Sequence, residues 1–213
     1  SRPRPNLARE GSGGAPRRDQ SQAMRASYDS LRLTDAQTAA WRWLAGPPGG
    51  PAKVLALSEE WSSDCRRDIP MLARVAEAGG LDLRIFPRDG KTFGKSQKPT
   101  LAESPGSNAD IMAEFLNEKG GQTWQSIPVA VFYTKDLEYI YHYVEYPAIY
   151  QKDRLRGHMV SARAGETAEQ TKTRGDREFM ELQQSPFFRV WASAGVDEML
   201  AALHERLTVG APR

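Results

Sequence analysis

The sequence holds a single cysteine in 213 residues, and this scarcity excludes an internal disulfide. A chain without disulfides is typical of a reducing compartment, so we expect a cytoplasmic protein. The three histidines are scattered along the chain and belong to no set of side chains at metal-ligand spacing. The sequence therefore predicts no metal site and gives no sign of a cofactor.

Long hydrophobic runs are also missing. Nothing approaches eighteen consecutive apolar residues, so the sequence predicts no membrane-spanning segment. The N-terminus is basic but lacks the apolar segment of a secretory signal. Of the net charge of +2, residues 1–25 carry +4, from six arginines against Glu10 and Asp19, which leaves −2 for the remainder. A nearly neutral body argues against a nucleic-acid partner.

Composition divides the chain into a tail and a body. Residues 1–23 are rich in arginine, proline, glycine and serine, and we expect them to form a disordered basic tail. An alternative function for this tail is to bind an acidic partner. Residues 24–213 have the apolar and charged fractions of an ordinary globular protein, so they are predicted to form one domain. The sequence makes no prediction of oligomeric state.

The order of hydrophobic patterns predicts a mixed α/β sheet. The apolar run at 53–58 and the alternating run at 81–86 flank a helical pattern, which predicts a βαβ unit with parallel strands. The strands expected at 128–133 and 137–144 form an antiparallel hairpin. An amphipathic helix follows over 196–207. Helical patterns at 24–45 and 148–190 are read as additions to a core of about 52–144 and 194–208.

The most informative segment is Trp61–Pro70, Trp-Ser-Ser-Asp-Cys-Arg-Arg-Asp-Ile-Pro, which joins the first predicted strand to the helix after it. This placement puts Cys65 in or beside the first helical turn. Unpaired N–H groups at a helix N-terminus favour a thiolate, and Arg66 adds a positive charge. We therefore expect a lowered pKa for Cys65.

This segment resembles the active site of the thioredoxin family, whose pattern is Trp-Cys-x-x-Cys followed by a basic residue and a kinking proline. Trp61 matches the tryptophan, Cys65 the second cysteine, Arg66 the basic residue and Pro70 the kink, whereas Ser62 replaces the first cysteine. The resemblance implies a thioredoxin-like fold, a central mixed sheet with helices on both faces. Because serine forms no disulfide, it also implies that the chain cannot run a dithiol cycle within itself.

A second match lies in Ile127-Pro128, which precedes an apolar strand. In the thioredoxin family a cis-proline at this place faces the cysteine motif, and peptide substrates pair with the backbone just before it. The resemblance therefore implies that Trp61, Ile127 and Pro128 bind substrate.

Two functions remain open, and with them the question of whether the chain is an enzyme. The first is thiol-based redox chemistry at Cys65, with Ser62 donating a hydrogen bond and a thiol-containing protein or glutathione as partner. The second is a redox-inactive module that binds peptides or proteins in the groove between Trp61 and Ile127. A third reading, that Ser62 was introduced to silence a dithiol enzyme, is not separable from these by sequence.

Overall fold

The computed structural model describes residues 19–90 and 96–209, and the elements named below lie within them. Most of the predicted tail, residues 1–18, is outside the described residues. The elements are α1 (Ser21–Ser30), α2 (Asp35–Ala45), β1 (Lys53–Ser58), α3 (Ser63–Gly79), β2 (Asp82–Pro87), α4 (Ala109–Glu114), β3 (Asn117–Lys119), β4 (Gln122–Trp124), β5 (Val129–Tyr133), β6 (Tyr139–Val144), a 3-10 turn (Ala148–Tyr150), α5 (Lys152–Val160), α6 (Ala168–Gln184) and α7 (Pro186–Val209).

Four strands form the main sheet in the order β2-β1-β5-β6. β1 runs parallel to β2, as the βαβ pattern predicts, with Val54 opposite Leu83. β5 is antiparallel both to β1 and to β6, so that Val129 lies between Leu57 and Val144. The predicted mixed sheet of a thioredoxin-like fold is confirmed.

Helices cover both faces of this sheet. On one face Trp41 of α2 stacks on Phe132 of β5, with ring centroids 5.7 Å apart. α3 and α7 pack on the same side as α2. On the other face Phe115, which follows α4, contacts the ring of His142 at 5.2 Å. Burial of these apolar surfaces stabilises the layered arrangement.

The helical addition at the N-terminus consists of α1 and α2. Thr34 and Gln37 form a reciprocal capping box at the start of α2. α1 begins at Ser21, so the last three residues assigned to the disordered tail are helical. No helix within the described ranges combines the length and apolar character needed to cross a bilayer.

Two regions differ in detail from the elements outlined by the sequence. Between β2 and β5, α4 ends at Glu114 and Gly120-Gly121 form the turn of a small hairpin, β3–β4. Both glycines have positive φ, as a two-residue hairpin turn requires. The closing helix is also longer than expected, because α7 continues from Pro186 through Gly195 to Val209. A Cβ at Gly195 would lie 3.1 Å from Tyr143 Oη, so glycine allows this close approach.

Candidate functional site

The Trp61–Pro70 segment lies where β1 ends and α3 begins. Ser62 is the N-cap of α3, and its Oγ accepts a hydrogen bond from the backbone N–H of Cys65 at 3.3 Å. A serine at this position satisfies one of the unpaired N–H groups of the first turn. Pro70 lies inside α3 and is buried. Ser62 itself is only 7% exposed, so the position of the family's first cysteine is largely covered.

Cys65 is fully buried, with 0% of its surface exposed. The lowered pKa expected for it is wrong, because burial raises the pKa of the thiol to about 11. Hydrogen bonds lower the pKa of this thiol but do not outweigh desolvation; they come from Ser58, the backbone N–H of Glu59 and Ser62. At neutral pH the folded protein therefore holds Cys65 as a thiol, and the thiol is out of reach of solvent.

Arg66 supports the segment by hydrogen bonds to its backbone. Its guanidinium donates to the carbonyl of Trp61 at 2.9 Å and to that of Glu60 at 3.3 Å. It also donates to Gln183 Oε1 at 2.9 Å, which ties the turn to α6. These contacts hold the loop before α3 in place against α6.

Trp61 and Ile127 line one pocket of about 520 Å³. The indole N–H of Trp61 donates to Asp89 Oδ2 at 3.1 Å, and the Arg88 guanidinium lies 5.3 Å from the ring centroid. The Ile127–Pro128 peptide bond is cis, and Pro128 is buried at the start of β5. The pocket lies over the N-terminus of α3, where it includes Ser62. It has the size of a typical ligand site.

The backbone of Ile127, a residue 5% exposed that lines the pocket, has unused hydrogen-bonding groups. Across residues 19–90 and 96–209, no protein group pairs with its N–H or its carbonyl. The neighbouring carbonyls are engaged: that of Gln125 accepts from Arg88 at 2.6 Å, and that of Pro128 accepts from the Glu145 N–H at 2.7 Å. Because a backbone group buried without a partner costs free energy, Ile127 is a ready acceptor for an added strand.

The sequence analysis missed a chain of ion pairs beside this pocket. We call it the ion chain, and in order it runs through Asp68, Arg67, Asp64, Lys152, Glu145, Lys119 and Asp153. Arg67 contacts Asp68 at 2.6 Å and Asp64 at 2.7 Å. Lys152 pairs with Asp64 and, at 3.1 Å, with Glu145.

The outer end of the ion chain crosses to the β3–β4 hairpin. Lys119 Nζ lies 2.7 Å from Glu145 Oε2 and 2.9 Å from Asp153 Oδ2. Lys119 thus links the hairpin to the region around α5, and both segments form walls of the pocket. The spacing of Asp64, Arg67 and Asp68 along one helix is visible in sequence, but nothing local connects them to residues 119, 145 and 152.

The family comparison agrees with the fold. A family model described as thioredoxin matches residues 15–103, which include Ser62 and Cys65. No curated protein matches the sequence. Two solved structures are similar at 12% identity and a TM-score of 0.49, over 87% of this chain and 84% of theirs. They are a protein of unknown function from Pseudomonas aeruginosa and an HIV epitope scaffold.

Proposed function

Residues 15–103 belong to the thioredoxin family, and from this premise we propose that the chain is a redox-inactive binding protein of thioredoxin fold. Its ligand is an extended peptide segment of a protein partner, held in the pocket between Trp61 and Ile127. The observation that carries the proposal is the burial of Cys65, the chain's only thiol, at 0% exposure. A thiol with a pKa of about 11 and no exposed surface is a poor nucleophile.

Peptide capture is supported by the backbone of Ile127, which makes no hydrogen bond within the described residues and borders the pocket. An extended ligand that runs along it would gain main-chain hydrogen bonds there, while its side chains reach the pocket. Trp61 offers the face of a ring whose N–H already bonds to Asp89, so its remaining contribution is apolar contact. The single cysteine fits a reducing compartment, and we place the protein in the cytoplasm on that ground.

Thiol-based redox chemistry at Cys65 is the second candidate. It is favoured by the position of Cys65 in the first turn of α3, beside the Ser62 hydroxyl. This function requires an opening that exposes the thiol to a protein thiol or to glutathione. The rate of alkylation by iodoacetamide between pH 4 and 10 separates the two candidates. The binding proposal predicts no reaction in native protein and full reaction in urea, whereas fast native reaction with an apparent pKa below 8.5 would replace it with the redox function.

Binding itself is tested with an array of ten-residue peptides probed with three proteins: the native chain, Trp61→Ala and Trp43→Ala. Trp43 is the matched control, because it is 64% exposed on α2 and contacts His204, away from the pocket. We expect the array to contain peptides with equal affinity for the native chain and for Trp43→Ala. Their affinity for Trp61→Ala should be at least about tenfold weaker. Equal binding to all three proteins, or no binding to any, would contradict peptide capture at this pocket.

A further inference from the structure

The ion chain beside the pocket begins and ends with a carboxylate. It contains four acidic groups and three basic ones, so every carboxylate has a cationic partner but the formal net charge of the ion chain is −1. Its inner end, Asp68, is buried and accepts hydrogen bonds from Arg67 and Tyr143. Its outer end, Asp153, lines the pocket with 64% of its side chain exposed. Asp153 is the most exposed carboxylate of the ion chain.

Asp153 shares its cation with a second acid. Lys119 is its ion-pair partner among the described residues, and the same ammonium group pairs with Glu145. Burial alone would raise the pKa of Asp153, but hydrogen bonds from Lys119 and Tyr146 lower it, so the group is ionised at neutral pH. A carboxylate that shares one lysine and faces an open pocket has capacity for a further cation.

The pocket also offers two indole rings. Trp61 and Trp124 both line it, and Trp124 is 49% exposed. Both indole N–H groups are already used, by Asp89 and by the Lys119 carbonyl at 3.4 Å. The Trp61 ring already has the Arg88 guanidinium 5.3 Å from its centroid. What Trp124 presents to a ligand is its π surface, which attracts cations as well as apolar groups.

We propose that the pocket binds the guanidinium of an arginine side chain in the captured peptide, stacked on Trp124 and paired with Asp153. This inference rests on the proposed peptide-binding function and adds the chemical class of its ligand. Arginine suits the site better than lysine, because its planar group stacks on an aromatic ring while an N–H donates to Asp153 Oδ1, the carboxylate oxygen that Lys119 and Tyr146 do not use. The ligand supplies the cation that the ion chain lacks.

The test uses fluorescence anisotropy with labelled ten-residue peptides that carry arginine, citrulline, leucine or glutamate at one central position. Citrulline keeps the shape of arginine and removes its charge. The protein variants are Asp153→Asn and Trp124→Ala, with Asp136→Asn, in the exposed β5–β6 turn, and Trp43→Ala as matched controls. Asparagine keeps an oxygen that can accept from Lys119 and Tyr146, so this substitution removes charge with little other change.

We expect the arginine peptide to bind about tenfold more tightly than the citrulline peptide. Asp153→Asn should abolish that difference without weakening the citrulline peptide, and Trp124→Ala should weaken the arginine peptide by about tenfold. The two control variants should bind as the native chain does. Equal binding of arginine, citrulline and leucine peptides would overturn the arginine inference and leave peptide capture intact. Failure of every peptide to bind would overturn the proposed function itself.

Discussion

Ser62 caps the helix that buries Cys65: its Oγ accepts the Cys65 backbone N–H at 3.3 Å, and the thiol lies beneath it without exposed surface. In dithiol proteins of the family these two positions hold the reactive cysteines. In this chain they stabilise the start of α3 instead. Ser62 supplies a hydrogen-bond acceptor to the first turn, and Cys65 fills part of the core.

Replacing Ser62 by cysteine should restore a dithiol site. We predict that Ser62→Cys forms an intramolecular disulfide with Cys65 in an oxidising glutathione buffer, because the N-cap side chain lies beside residue 65 in the first turn. Intact mass should show the loss of two hydrogen atoms, and both sulfurs should resist alkylation until a reductant is added. Ser63→Cys, one residue further along α3, is the matched control and should keep two separate thiols. A Ser62→Cys protein that stays reduced in this buffer would show that the helix start cannot accommodate the bridge.

A second prediction concerns stability at high pH. The pKa of Cys65 is raised from 9.0 to about 11 in the folded protein, so the unfolded chain loses its thiol proton first. The contribution to stability is complete below pH 9 and is lost as the pH rises through 11. At pH 10 the native protein should have lost on the order of 1 kcal/mol of unfolding free energy through this group.

The measurement is urea denaturation of the native chain and of Cys65→Ala at pH 8 and pH 10. Tyrosines with raised pKa values, such as Tyr141 and Tyr150, affect both proteins alike, so the difference between the proteins isolates Cys65. The stability advantage of the native chain over Cys65→Ala should shrink between the two pH values. An unchanged difference would mean that the thiol has the same pKa in both states and is not desolvated by folding.

Much of the fold was predictable from local patterns. The apolar run at Lys53–Ser58 and the alternating run near Asp82–Pro87 predict the parallel pair, because a strand, a helix and a second strand joined by short links form a right-handed βαβ unit with parallel strands. The thioredoxin resemblance at Trp61, Cys65 and Pro70 agrees with the family match. The roles assigned to Trp61, Ile127 and Pro128 stay predictions, although the structure places Trp61 and Ile127 in the same pocket.

The error about Cys65 has a physical cause. Sequence shows which charges and helix termini lie near a side chain, and here these suggest a thiolate. It does not show how deeply the thiol is covered, and desolvation outweighs the hydrogen bonds that favour ionisation. The ion chain was missed for a related reason. Asp64 and Lys152 are 88 residues apart, and only tertiary packing brings them together.

The middle of the ion chain should be important for stability. Lys152 pairs with both Asp64 and Glu145, and its side chain is 17% exposed. Lys152→Met keeps the apolar stem but leaves two carboxylates without this cation. We predict that the free energy of unfolding falls by about 3 kcal/mol at pH 7, because removing one partner of a buried ion pair leaves an uncompensated charge in a poorly solvated site. Lys172→Met is the matched control: Lys172 pairs with Asp176 on an exposed face of α6, and its loss should have no measurable effect.

The loss of unfolding free energy caused by Lys152→Met, called the penalty below, should depend on pH if it is electrostatic in origin. Burial alone would raise the pKa of Glu145, but Lys152 and Lys119 hold it below its usual value of 4.5. A lowered folded pKa gives stability that is present above the unfolded pKa and is lost as the pH falls through the folded value. The penalty measured by urea denaturation should therefore be largest near pH 7 and shrink as the pH falls below 4.5 and through the lowered folded pKa of Glu145, because a neutral Glu145 no longer needs the lysine. A penalty that stays constant across this range would instead indicate lost packing around the lysine stem, and the ion chain would then have no electrostatic role in holding α5 against α3.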